Sequence, residues 1–252
     1  MYKWLLLLLL SSCSSQPKHG LKIAASSVPH AEMLDFIKPN LEGQGIDLII
    51  IVTDDYNMPN RALAHGDIDA NFFQHTPFLE EQIKEFHYPI KSIASIELEP
   101  LGIYSKKITS LASLSDNAKI ALPNDPTNEG RALLLLQANG IIMLDNPSNL
   151  QSTIRNITEN PKHIHFVEVD AAMLPRTLDD VDAAAIPTNY ALQAHLSPIA
   201  LESTNSPYAN VLVIRIGDEN RADIKALKLA MTSEIMREFI IEKYKGAIIP
   251  AF

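Results

Sequence analysis

The sequence predicts an α/β protein made of two lobes with a cleft between them. Strand-like apolar runs alternate with amphipathic helical stretches along most of the chain, the pattern of sheets covered by helices. Two extended segments, near 100–106 and 200–208, interrupt this alternation and would form a two-strand hinge that favours closure around a ligand. Gly66–Leu79 adds a corner where a strand end meets a helix start, the place where open α/β sheets hold their ligands.

In chain order, Leu21–Ala25 alternates as a first strand, and Ser26–His30 turns into a helix running to about Ile37. Ile46–Val52 is a dense β-branched run, as in a buried parallel strand, with Thr53–Asn57 at its C-terminal end. A helix from about Pro59 stops at Gly66, where glycine tolerates the left-handed cap. Residues 67–73 read as a strand with Ile68, Ala70 and Phe72 on one face and Asp67, Asp69, Asn71 and Phe73 on the other. Thr76-Pro77 then offers a hydroxyl N-cap and a proline at the first helical position.

Ile93–Tyr104 is extended, and its Pro100-Leu101-Gly102 suits a crossing strand better than a central one. The alternation resumes with a strand at Lys119–Leu122, a loop at Pro123–Asn128 and a helix at Glu129–Ala138, ended by Asn139-Gly140. His163–Val169 is a strand, Pro175–Asp180 a short helix or turn, and Asp182–Ile186 a strand leading into Pro187–Tyr190. After the polar linker Ser203–Ser206, Ala209–Ile216 is a strand, and Asn220–Lys243 makes two amphipathic helices meeting near Ser233. The C-terminal elements return to the first lobe, so lobe 1 comprises 21–103 with 206–252 and lobe 2 comprises 104–205.

The formal charge of −9 and the lack of a basic run argue against nucleic acid and point to a small molecule or another protein as partner. Residues 1–13 read as a leader. Lys3 supplies the positive start, Trp4–Leu10 is apolar but too short to span a bilayer, and Leu10-Ser11-Ser12-Cys13 closes it. That tetrapeptide resembles the lipobox of bacterial lipoproteins, in which the cysteine carries the lipid and begins the mature chain. An uncleaved interfacial anchor is the alternative. Lipidation at Cys13, the single cysteine, followed by the tether 14–20, would hold the protein on a membrane facing the periplasm or exterior.

No nucleophile elbow, phosphate loop or dinucleotide fingerprint is present, so no enzyme and no cofactor are expected. His163 and His165 would share a strand face, but zinc wants three or four ligands with recognisable spacing, and no metal site is expected. Arg131 lies in the first turn of its predicted helix, where the dipole disfavours a cation. Two readings explain it: a bidentate grip on a ligand carboxylate, or an internal pair with an acidic residue. Asn189-Tyr190 and Tyr208-Ala209-Asn210 set amides beside aromatics near strand ends. With Tyr56, Phe73, His75 and Phe78 they describe aromatic walls and a few polar groups, a lining for a small zwitterion with an apolar side chain. Core packing is the other reading of Phe73.

Five stretches then carry a likeness. They are Asp55-Tyr56 with Pro59–Leu63 leading into Gly66–Leu79; Tyr104–Ile108; Pro123–Asn128 with Gly130-Arg131 and Leu133–Gln137; Leu174–Asp180; and Ser206-Pro207-Tyr208 with Asn210. In these the chain resembles the methionine-binding lipoproteins of ABC importers, the NlpA lipoprotein family. The resemblance implies a periplasmic-binding-protein fold and a monomer that binds methionine, L and possibly D, and delivers it to a permease/ATPase complex. It implies that Tyr56, Phe73, His75 and Phe78 line the side-chain pocket, that Arg131 grips the carboxylate, and that Asn210 and an asparagine after Ile186 bind the zwitterionic end. Two positions depart from the family pattern: Phe78 replaces a frequent tyrosine, and Pro187 follows Ile186 where asparagine is usual, leaving Asn189 as the nearest amide. Pro187 motivates the alternative of a surface-exposed, adhesin-like lipoprotein with a drifted or different small-molecule ligand.

Overall fold

The computed structural model describes residues 20–252; Cys13, the leader and the tether up to residue 19 lie outside the described residues. The chain begins with β1 (Leu21–Ala25), a π-helical turn at Ser27–Ala31, α1 (Glu32–Gly43) and β2 (Leu48–Val52). It continues through α2 (Met58–His65), β3 (Ala70–His75), α3 (Thr76–Phe86) and β4 (Ile90–Leu98). Then come β5 (Gly102–Tyr104), β6 (Lys119–Pro123), α4 (Pro126–Ala138) and the small hairpin of β7 (Met143–Leu144) and β8 (Ile157–Glu159). Next are β9 (His165–Val169), α5 (Leu174–Thr177), β10 (Ala183–Ile186), α6 (Thr188–Gln193) and β11 (Ala200–Leu201). The chain closes with β12 (Ala209–Arg215), α7 (Ala222–Met231), α8 (Glu234–Tyr244) and β13 (Ile249–Pro250).

Two mixed sheets organise these elements. One runs β13-β4-β12-β3-β1-β2, the other β11-β5-β10-β6-β9. Strands β2, β1 and β3 are parallel to one another, and β12 runs antiparallel between β3 and β4. In the second sheet β9, β6 and β10 are parallel, while β5 is antiparallel to both β10 and β11. The chain passes from the first sheet to the second after β4 and returns after β11. Among the described residues no helix is long and apolar enough to cross a membrane.

Strand β1 shows why the first sheet is buried on both faces. Its Leu21, Ile23 and Ala25 pack with α1, α7 and α8, whereas Ala24 faces Leu63, Ile68 and Leu79. Strand β3 occupies the same kind of position, between β1 and β12, and all six of its residues are buried. This corrects the expected 67–73 strand with one polar face. The strand begins later because Asp69 is tied to the start of β1, accepting from the Lys22 amide at 3.0 Å while its own amide bonds the Lys22 carbonyl. The polar side of β3 lies inside a closed amide network. Asn60 and Gln74 exchange two hydrogen bonds, at 2.8 and 2.6 Å, and Asn71 Nδ2 donates to Asn60 Oδ1 at 2.9 Å. Each buried amide is thereby satisfied inside the protein rather than by water.

Three other expectations shift. Helix α4 starts at Pro126, not Glu129, because Asp125 caps it by accepting from the Asn128 amide at 2.9 Å and Pro126 takes the first helical position. Arg131 therefore sits in the second turn, beyond the strongest part of the dipole. At α3 the cap is His75 rather than Thr76: its Nδ1 accepts from the Phe78 amide at 3.1 Å. The strand expected at His163–Val169 begins at His165, and His163 lies in a turn with φ 50°, so the two histidines share no strand face. The two C-terminal helices do meet at Ser233, whose hydroxyl accepts from the Met236 amide and caps α8.

Candidate functional site

A cavity with about 370 Å³ of free space lies between the two sheets. Each wall is built by a strand end. The C-terminal end of β3 brings Phe73, Gln74 and His75, the first turn of α3 brings Phe78, and the loop after β2 brings Tyr56. From the second sheet, α4 supplies Asn128 and Arg131, and the β10–α6 junction supplies Pro187, Thr188 and Asn189. His30, Glu99 and Asn210 complete the lining. All seven ligand-contact candidates from the sequence, Tyr56, Phe73, His75, Phe78, Arg131, Asn189 and Asn210, thus face one space.

One end is aromatic. Tyr56, Phe73 and Phe78 pack with ring centroids 5.9–6.0 Å apart, and Tyr190 approaches Tyr56 at 5.3 Å. Phe73 packs as one member of this cavity wall. His75 stands beside it as a neutral imidazole. Because Nδ1 accepts from Phe78, the ring proton is on Nε2, which donates to Asn128 Oδ1 at 3.0 Å. Burial, and then the Arg131 charge, lower its pKa to about 3.

The two sides are held together across the cavity. Tyr56 Oη donates to Asn189 Oδ1 at 2.9 Å, Tyr190 Oη donates to the Asp54 carbonyl at 2.5 Å, and Gln193 reaches Asp54 Oδ1 at 3.1 Å. Among the described residues, Asn189 Nδ2 is left buried without a partner. Pro187 precedes α6, and its carbonyl accepts from Tyr190 and Ala191, so Asn189, on the first turn of that helix, carries the amide to the wall.

Arg131 makes the internal acidic pair, the second of its two readings, at a place on the cavity wall. Its Nε and Nη2 donate to the Glu202 carboxylate, at 3.1 and 2.6 Å, and Nη2 also donates to the Glu99 carbonyl at 2.6 Å. These contacts occupy three of the five guanidinium hydrogens. The Nη1 pair makes no hydrogen bond among the described residues, and the cation lies 4.3 Å from the centre of the Tyr208 ring. The residue before it, Gly130, allows α4 its close approach: a Cβ there would stand 2.4 Å from the Leu150 carbonyl oxygen.

The opposite end holds a cluster that sequence reasoning missed. Glu97, Glu99 and His30 converge, with His30 Nε2 3.2 Å from Glu97 Oε1 and 3.3 Å from Glu99 Oε1. Asn210 Nδ2 donates to those same two oxygens, at 2.7 and 3.0 Å, and Ser26 Oγ holds His30 Nδ1 at 2.9 Å. Burial pushes both carboxyls up to about 8, for Glu99 with help from Glu97, and burial pulls His30 down. The three side chains are the one set among the described residues whose donor atoms gather closely enough for a metal ion. A closed zinc site takes four ligands, however, and these oxygens already accept from Asn210. The signal in the sequence was Glu97-Leu98-Glu99, two carboxylates two residues apart at the end of an extended segment, a spacing that puts them on one face.

A model of the NlpA lipoprotein family matches residues 21–252. The methionine-binding lipoprotein MetQ of Bacillus subtilis is 40% identical over 242 residues, covering 92% of this chain and 88% of its own. The D-methionine-binding lipoprotein MetQ of Salmonella typhi is 42% identical, covering 82% of this chain and 79% of its own. A nutrient-binding protein from Burkholderia cenocepacia, solved bound to methionine, superposes with a TM-score of 0.88 at 44% identity, covering 92% of this chain and all of its own.

Proposed function

The chain belongs to the NlpA lipoprotein family, and from that premise we propose that it is the methionine-binding lipoprotein of an ABC importer, with the cavity between its sheets as the binding site. The observation that carries this is the polarity of the cavity, aromatic at one end and charged at the other, with donors left over between. The thioether packs against Tyr56, Phe73 and Phe78, since sulfur is favourable at ring edges. The ligand carboxylate takes Arg131 Nη1 and Asn189 Nδ2. Its ammonium sits by Glu99, with Asn210 Oδ1 as a further acceptor.

Residues 21–103 with 206–252 and residues 104–205 act as the two lobes that close on the ligand. The lipid at Cys13 tethers the monomer to a bacterial membrane, facing the periplasm or exterior, where it hands methionine to the permease/ATPase complex. No enzymatic step is assigned. The adhesin-like alternative drew on Pro187, and with Asn189 on the cavity wall no separate observation favours it.

Titration calorimetry on the mature chain with L- and D-methionine tests this reading. One molecule of methionine bound per chain is expected. Ligand at a hundred times its Kd should add about 2.7 kcal/mol of stability and raise the melting temperature by roughly 5–10 °C. Neither heat nor a melting shift from either enantiomer would overturn the methionine assignment.

A further inference from the structure

We infer that Glu97, which does not line the cavity, is a positioning residue that keeps one proton in the Glu97–Glu99–His30 cluster of the empty site, and that an arriving amino-acid ammonium displaces this proton to solvent. The inference rests on the proposed placement of the ammonium beside Glu99 and goes beyond it, to the charge balance of the step.

Charge balance in a closed space is the argument. Glu97 is fully buried, Glu99 nearly so, and His30 is 1% exposed. Two carboxylates that share one amide donor and one imidazole edge cannot both stay ionised so far from water. His30 cannot supply the charge cheaply, because it is itself buried and its Nδ1 is already engaged by Ser26. One oxygen of each carboxyl and a ring nitrogen of His30 lie within 4.8 Å of one another, which crowds two bare negative charges into a dry space. Further groups facing the pair are Arg131 from α4, whose charge is shared with Glu202, and Tyr244 from α8, whose hydroxyl donates to Glu32. Tyr56 and Tyr104 feel the Glu99 charge and remain neutral phenols. None of these removes the second negative charge. Among the described residues, Glu97 Oε2 and His30 Nε2 are the two atoms of the cluster left buried without a well-aligned hydrogen bond.

An ammonium beside Glu99 brings the missing positive charge, so the pair can ionise fully. The step balances: zwitterion plus protonated cluster gives the complex plus one proton, which passes to the buffer. Its sign follows from linkage. While the free cluster holds its proton and the complex does not, affinity rises with pH; once the free cluster has ionised the dependence disappears.

The test is calorimetry with methionine in buffers of different ionisation enthalpy at one pH near neutrality, repeated from pH 6 to 8. The expected result for the wild-type chain is close to one proton released per methionine, with Kd falling about tenfold for each pH unit. In Glu97→Gln, a neutral amide faces Glu99 and the like charge that adds to the effect of burial on it is gone, so proton release and the pH slope should both fall below the wild-type values while methionine still binds. Methionine binding with no proton release in the wild-type chain overturns this inference and leaves the functional reading intact. Undiminished release from a folded Glu97→Gln also overturns it. No methionine binding at any pH overturns both readings. Should the variant fail to fold, the wild-type proton count decides alone.

Discussion

Arg131→Ala is expected to weaken methionine binding by about 10- to 150-fold, the worth of a hydrogen bond to a charged group. The loss has two separable parts. The Nη1 edge that would meet the ligand carboxylate disappears, and Glu202 loses the partner that bonds it twice. Glu202 is 14% exposed, so its stranded charge is partly reached by water, and the stability cost should be about 2–3 kcal/mol, below the 3–5 typical of a broken buried pair. The double substitution Arg131→Ala with Glu202→Gln should recover most of this stability and none of the affinity. Urea unfolding and calorimetry on the same samples read the two quantities. If Glu202→Gln also restored affinity, Arg131 would be acting as the neutraliser of Glu202 and not as a ligand contact.

Phe72→Ala should be the most destabilising single change outside the cavity, costing about 3–5 kcal/mol. Phe72 is the largest side chain that is fully buried, in the core shared by β1, β3, α1 and α7. Its neighbours are held by sheet pairing on both sides, so they cannot collapse into the space left behind. The ring also meets the edge of His30 at 4.4 Å, which links this core to the polar end of the cavity. For a domain of this length the melting temperature should fall by roughly 6–20 °C. A loss below about 1 kcal/mol would mean that the core repacks, contrary to the close packing described.

Much of the frame was legible because its signals are local. Gly66 has φ 85° at the end of α2, and Ser233 caps α8 where the two C-terminal helices meet, both through short-range backbone chemistry that a sequence displays. The α/β class followed from periodicity alone. What escaped were features that depend on distant neighbours. Asp67, Asp69 and Asn71 read as one polar strand face, yet the strand starts only at Ala70, as the interior partner of β1 and β12, and Asn71 is satisfied by Asn60 from a preceding helix. The pairing of Arg131 with Glu202 depends on the return segment after β11, which nothing near Arg131 announces. His30 and Glu97 meet only because the turn after β1 is folded against the end of β4. The aromatic half of the cavity lies mostly on one corner of sequence and could be read there. Of the polar half, Arg131, Asn189 and Asn210 were named from the sequence, whereas the cluster of His30, Glu97 and Glu99, brought together from separate segments, was not.

Native mass spectrometry of the purified mature chain, first emptied by mild unfolding and refolding and then mixed with methionine, tests the central claim most directly. One methionine adduct per chain is predicted, lost when Arg131 is replaced by alanine. No adduct on the folded wild-type chain, or an adduct unaffected by that substitution, would contradict it.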